Sequence, residues 1–315
     1  MALTSSITHA GPKAEEVTAY RALVGEDQRL ANVAHRLARA NAPFCASTEQ
    51  SLGWMLHDIA QYPDPEVARA AFGFALPIQI SAVADDSAAS RAGLRVDDAL
   101  VQIDADNGHV RFNKPSNPSY ALDYKRMELL LIGLDALLAN NPKGDVTITY
   151  LRDGTQASAR VQPVAECASD FQIDTKDGLD AGADGERVRV TIGLVRYAID
   201  DAELAAVVAH EISHNLLSHR ARLDGLKRGK TKALLATEIE ADRLSVWLMA
   251  NAGYDPKAAL RFWERYGRKT GLGIFSDGTH LRWKNRVKVM QAEIDLMAKT
   301  EKRDGLLPPP LLVGG

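Results

Sequence analysis

The chain contains no run of about 18 uninterrupted apolar residues, the minimum for a membrane-spanning helix. The nearest candidate, 129–139, is short and interrupted by Gly133 and Asp135. The first ten residues lack the apolar stretch of a secretory leader. The chain is therefore expected either to be cytosolic or to have lost a leader. Positive charge is not in excess: the net charge is -3 and the isoelectric point about 6.3. That gives no electrostatic case for a nucleic-acid partner. Cysteine is scarce too. Cys45 and Cys167 are either one long-range disulfide, which would imply an oxidising compartment, or two unrelated buried thiols. Internal repeats are missing as well.

What is present is ordinary globular composition, 46% hydrophobic and 25% charged over 315 residues, a length that suggests two domains. Helical spacing of Leu23, Leu30, Val33, Ala34 and Leu37 predicts a helix over 14–42, stopped by Pro43. A second short helical stretch is read at 49–60. From 72 to 163 the texture becomes β-like, with runs at 74–80, 99–103, 146–151 and 157–161. The last two flank an Asp153-Gly154 hairpin turn. Helices are read at 87–92 and 121–139. Beyond 187 come a strand at 187–194, helices at 201–219, 233–251, 256–267 and 281–301, and a Lys/Arg/Gly-rich linker at 224–232. The Pro-rich tail, 306–315, reads as extended or disordered.

One motif carries chemistry: His210-Glu-Ile-Ser-His214, inside a segment that is helical on other grounds. Residues four apart share a helix face about 6 Å apart along the axis, so both imidazoles can reach one zinc ion. Glu211 can reach a water on that metal, which is the logic of H-E-x-x-H. The competing reading is an accidental match on a surface helix. A catalytic zinc needs a third protein ligand. His219, nine residues after His210, falls on the opposite side of a continuous helix and reads as a helix-end or packing histidine. The metzincin position, ten residues on, is Arg220. Glu238 on the next helix completes a His₂Glu set, and Asp242, four residues later, is placed to orient a ligand histidine. Glu240 points about 200° from Glu238 and reads as solvated. Taken without the upstream motif, Glu238 and Asp242 are an ordinary charged helix face.

H-E-x-x-H followed by Glu238-Ile-Glu-Ala-Asp242 resembles the gluzincin-type zinc metallopeptidases that include HtpX, BepA and the CAAX prenyl endopeptidases. The resemblance spans roughly 178–290. Asp180-Ala-Gly-Ala-Asp-Gly185 and the strand after it resemble the Asn-Ala segment and edge strand of that family, with Asp180 in place of Asn. Thr279-His280, with Arg286 six residues later, resembles a His-Pro segment in which Leu281 replaces Pro. The resemblance implies one zinc ion per chain held by His210, His214 and Glu238, with Glu211 as general base. It implies that His280 or Arg286 assists the oxyanion, or that His280 caps the metal in a latent form. The strand 187–194 would offer its edge to an extended polypeptide.

Residues 72–165 resemble a bacterial protease-associated PDZ domain. The carrying stretch is Val83-Ala-Asp-Asp-Ser-Ala-Ala-Ser-Arg-Ala-Gly-Leu94 with Val96-Asp-Asp-Ala-Leu-Val-Gln-Ile-Asp104, where Ala88 replaces Pro and Asp97 replaces Gly. Phe72-Gly-Phe-Ala75 would be the carboxylate loop, and a peptide C-terminus would lie between strand 74–80 and helix 121–139. Pro77 removes one donor there, so a PDZ-shaped spacer is the alternative. The expected fold is α+β. It comprises a helical segment (1–71) packed on the peptidase, a PDZ-like domain (72–165), a mainly helical zincin-like domain with a small edge-strand sheet (166–302) and a tail (303–315). The expected function is a zinc endopeptidase acting on unfolded or extended polypeptides. The alternative is a latent, zinc-containing peptide-binding scaffold. The resemblance and the cysteine pair together point to a periplasmic or secreted location, with a cytoplasmic one left open.

Overall fold

The computed structural model describes residues 12–112, 124–142, 144–270 and 282–313. Helix α1 (Ala14–Asn41) forms where helical spacing predicts it. Its buried face (Leu30, Val33, Ala34, Leu37) joins one core with Val190, Val207, Val208, Trp247 and Phe262 from the far half of the chain. Strands β1 (Thr48–Ser51) and β2 (Trp54–Asp58) follow. The short helix expected at 49–60 is therefore corrected to strands. The deciding signal is a period of two. Leu52, Trp54 and Leu56 pack into one core, while Met55 faces the other.

Helix α2 (Pro65–Phe72) has complete boundary signals. The Asp64 side chain accepts from Glu66 N and Val67 N, Pro65 opens the first turn, and Gly73 closes it at φ 66°. Phe72-Gly-Phe-Ala75 is thus a helix end, not a ligand loop at a strand's start. Strand β3 (Ile78–Val83) begins after Pro77, helix α3 spans Ala88–Arg91, and β4 (Ala99–Ala105) and β5 (Gly108–Arg111) form a hairpin. Helix α4 (Tyr124–Ala139) precedes the hairpin β6 (Val146–Arg152) and β7 (Thr155–Val161), which turns at Asp153-Gly154.

Among the described residues these strands make one six-stranded sheet in the order β2-β3-β4-β6-β7, with β5 on β4. β3 pairs with β2 along its length and meets β4 at one registered pair, Gln79↔Ala99. The strand expected at 74–80 thus begins later and lies inside the described order, whose end strands are β2 and β7. The β-rich unit accordingly starts near Leu52 rather than at 72. Arg126 of α4 pairs with the buried carboxylate of Asp58 at the end of β2, one bond measuring 2.6 Å.

Two chain crossings tie this unit to the helical body, and they pair with each other. β8 (Val164–Cys167) runs antiparallel to β1, register Thr48↔Cys167 to Ser51↔Val164. Beside that ribbon Cys45 and Cys167 form a disulfide, with Cα atoms 5.5 Å apart, so the insertion is closed at its neck. A small sheet follows, β10-β11-β9, from β9 (Asp170–Asp174), β10 (Ala181–Ala183) and β11 (Arg187–Thr191). The expected strand 187–194 stops early and continues as helix α5 (Ile192–Tyr197). The helical body is completed by α6 (Asp201–Leu216), α7 (His219–Asp224), α8 (Lys230–Asn251), α9 (Lys257–Thr270) and α10 (Trp283–Met297). Of the tail expected to be extended or disordered, residues 307–313 pack on the helical body. Pro308 and Pro309 are buried, and α11 (Pro310–Val313) sets Leu311 and Leu312 on the main core. The Asn251 side chain holds both the N–H and the C=O of Leu307, at 2.8 and 2.9 Å.

Candidate metal centre

Helix α6 is buried along most of its length, which explains its run of small apolar residues, Ala205-Ala-Val-Val-Ala209. Its start is fixed by a cap: Asp200 accepts from Glu203 N at 2.8 Å. Glu203 in turn accepts from Ile199 N and pairs with Arg265, tying α6 to α9. On this rigid element the four-residue spacing puts His210 and His214 on one face, and α8 carries Glu238 across from them.

The two Nε2 atoms are 3.3 Å apart, and each lies 3.5 Å from an oxygen of Glu238. Two nitrogen ligands bound tetrahedrally at about 2.0–2.1 Å from zinc stand about 3.3–3.4 Å apart. The donor set therefore fits that ion in both chemistry and span. Among the described residues this is the group of three metal-ligand side chains whose ligand atoms converge, all within 4.8 Å of one another. His210 and Glu238 are buried and His214 is half-buried.

Asp242 stands where the second carboxylate was expected, with Oδ1 3.0 Å from His210 Nδ1. Arg286, one of the two residues expected to assist the oxyanion, lines the same cleft as His210 and Glu211 and engages Asp242. Its Nε donates to both oxygens at 3.0 and 3.1 Å, and Nη2 donates to Oδ1 at 2.6 Å. Its guanidinium also lies 3.4 Å from the ring centre of Trp263. His280 lies outside the described residues.

These contacts set the charges. Burial pushes the Asp242 carboxyl up, but the Arg286 charge and the His210 hydrogen bond outweigh it and hold the pKa below the usual range. Burial and Arg286 both oppose a proton on His210, yet hydrogen bonds to Asp242 and Glu238 raise its pKa to about 9. Burial and the neighbouring His210 lower His214 to about 3. The ring pair thus carries one positive charge, on His210, whose extra proton a metal must displace.

Three expectations are overturned nearby. Helix α6 stops at Leu216, and Ser218 turns the chain at φ 51°. His219 therefore swings back instead of pointing away. It is buried, with Nδ1 3.0 Å from His214 Nδ1 and Nε2 3.0 Å from Glu240 Oε2. Glu240 is consequently paired, not simply solvated, and also accepts from Arg222. The free edge is different too. β11 is paired on both sides, by β10 and β9, so the edge beside the centre belongs to β10. A three-residue Ala-Gly-Ala strand carries no β signal, and only its pairing reveals it. Thr191 Oγ1 secures it, accepting from Asp180 N and donating to its backbone C=O. Ala181 of β10 lines a cleft of about 90 Å³ together with His210, Glu211, Leu194, Trp263 and Tyr266.

Residues 170–237 match the family described as Peptidase family M48. That match contains the H-E-x-x-H motif and ends one residue before Glu238. The mitochondrial metalloendopeptidase OMA1 of Arabidopsis thaliana is 29% identical over 133 residues, covering 33% of this chain and 27% of the relative. The aligned part is thus about a quarter of that relative's length. Both matches support an M48-type zincin. No helix among the described residues is long and apolar enough to cross a membrane.

Proposed function

We propose that this chain is a zinc-dependent endopeptidase that cleaves unfolded or extended polypeptides, with Glu211 as general base. The carrying observation is the convergence of His210, His214 and Glu238 at zinc-ligand spacing, with Glu211 lining a cleft beside His210. When bound, zinc supplies Lewis acidity, lowering the pKa of a water and polarising a carbonyl. Glu211 takes the proton of the attacking water and passes it to the leaving amine. A substrate strand adds to the open edge of β10, and its side chain enters the cleft between Leu194, Trp263 and Tyr266. Asp242 holds His210 with its proton on Nδ1, and Arg286 keeps Asp242 ionised.

A second reading, a latent peptide-binding scaffold, draws on β2, an end strand of the described sheet order, whose outer edge leaves the inserted unit able to accept a strand. The Cys45–Cys167 disulfide favours an oxidising compartment, periplasmic or extracellular. The test is incubation of zinc-loaded protein with casein beside Glu211→Gln, with fragments read by mass spectrometry. Cleavage by the wild type and a loss of at least about 10²-fold in the variant, with zinc retained, is expected. Equal cleavage by both removes Glu211 from its role. No cleavage by either, with zinc bound, favours the scaffold.

A further inference from the structure

The two histidines of the metal centre are backed differently, and only one is backed directly by a carboxylate. The inference below rests on the zinc reading given above. His210 meets Asp242, which is fully buried and clamped by Arg286. Behind His214 stands a second imidazole, with His219 Nδ1 3.0 Å from His214 Nδ1.

Two ring nitrogens at that distance share one proton, so one donates and the other accepts. The metal side decides which. His214 Nε2 faces His210 Nε2 and Glu238, so it presents its lone pair and the ring carries its proton on Nδ1. His219 Nδ1 is then the acceptor, and its own proton sits on Nε2. That nitrogen lies 3.0 Å from Glu240 Oε2, which accepts. Arg222 completes the chain, with Nη1 donating to the same oxygen at 2.6 Å and Nη2 to Oε1 at 3.4 Å. Every donor and acceptor role follows from the first one, with no conflict along the chain. His219 is 1% exposed, whereas the Arg222 side chain is 50% exposed, so the chain runs from the metal to the surface.

We propose that His219 is a positioning residue for the metal: the chain Arg222–Glu240–His219 locks His214 in the tautomer that aims Nε2 into the centre. Partners behind metal-ligating histidines fix ring orientation, and their loss costs about 10–100-fold in metal affinity. The break at Leu217-Ser218 makes the arrangement possible. On an uninterrupted helix, nine residues would carry His219 half a turn away from His210.

The test is zinc affinity of the full chain, by competition with a chromophoric chelator, for His219→Leu and His219→Asn. Leucine fills the volume but accepts nothing; the asparagine oxygen can replace Nδ1 as acceptor. Leucine is expected to raise the zinc dissociation constant about 10–100-fold, and asparagine to recover most of that loss. The His214 ring ¹⁵N shifts should report a single Nδ1–H tautomer in wild type and a mixture in the leucine variant. An affinity within about twofold of wild type for His219→Leu overturns the proposal. So does an equal loss in both variants, which would make His219 a packing residue. Should the buried variants fail to fold, Arg222→Ala at the exposed end is expected to weaken zinc about two- to tenfold, and no change there overturns the proposal. If wild type itself binds no zinc, the metal reading falls first and the proposal with it.

Discussion

The helical body and the inserted sheet both bury a core, but they fill it with different chemistry. The sheet's interior is mainly aliphatic: Ile78, Ile80, Leu100, Ile103, Ile148 and Val161 are at most 1% exposed, and its buried carboxylates Asp58 and Asp98 are each paired with an arginine, Arg126 and Arg152. The helical body buries Glu203, His210, Glu211, Glu238, Asp242 and Arg286 alongside its apolar residues. Burying a charge is costly unless it is paired and hydrogen-bonded, and a well-packed apolar substitute is often as stable. In the sheet each buried carboxylate is held by one arginine, whereas in the helical body His210, His214, Glu238, Asp242 and Arg286 converge on one centre. The two regions also meet directly. α1 lies in the helical core and also packs on the sheet unit, with Gln28 bonded to Val83 and Arg21 paired with Asp97, and the paired neck and one disulfide add to that attachment.

The contrast is broken most severely by unpairing a buried charge. Asp242→Ala leaves Arg286 buried without its carboxylate and is expected to cost about 3–5 kcal/mol in denaturant unfolding of the metal-free protein. Asp242→Ala should also weaken zinc. A change under 1 kcal/mol would mean that Arg286 finds water, and that the helical core tolerates charge more freely than argued.

At the neck, Cys45→Ser with Cys167→Ser opens a loop of 122 residues. Loop-closure entropy sets the expected loss at about 4–5 kcal/mol at most, with about 2–4 typical. Limited proteolysis should then cut near 45–51 and 162–168 before either core opens.

Titration separates the regions by sign. In the metal-free protein, His210 has its pKa raised to about 9. Its contribution to stability is therefore full below about 6.5 and is lost as pH rises through about 9. Zinc competes with that same proton, so its apparent affinity should climb with pH across the window. His57, packed among Tyr62, Phe72 and Phe74, is pushed down to about 3, chiefly by burial. Its contribution is present above about 6.5 and is lost as pH falls toward 3. Denaturant melts of wild type and His57→Phe across this range check the sign: the variant should lose part of the acid sensitivity. The mildest change is Ile148→Val in the sheet, expected to cost about 0.5–1.5 kcal/mol and to leave zinc affinity unchanged.

Much of the centre was legible because it obeys helical arithmetic. His210, Glu211 and His214 depend only on a spacing within one helix, and Glu238 with Asp242 only on another. α1 and the β6–β7 hairpin were equally local, written in apolar period and an Asp-Gly turn. The misreadings share a cause. Strands β1 and β2 are short and draw their identity from partners far away, β8 and β3. β10 is three small residues recognisable only by its pairing with β11. Gly73 and Asp64 did signal the helix that replaces the supposed ligand loop, so that signal was available to the reading.

His219 shows the boundary most clearly. Its distance from His210 along a straight helix is fixed by 100° per residue, and that arithmetic sends it away from the metal. Ser218 in a left-handed conformation reverses the result, although serine rarely announces such a turn. Glu240 then meets His219 because α7 folds back across α8, a contact no period predicts. Intrahelical neighbours follow from backbone geometry alone, and so the proposed ligand pair and the glutamate beside it could be read from the sequence itself. The partners that orient them come from other elements, and only long-range packing decides which side chains arrive there.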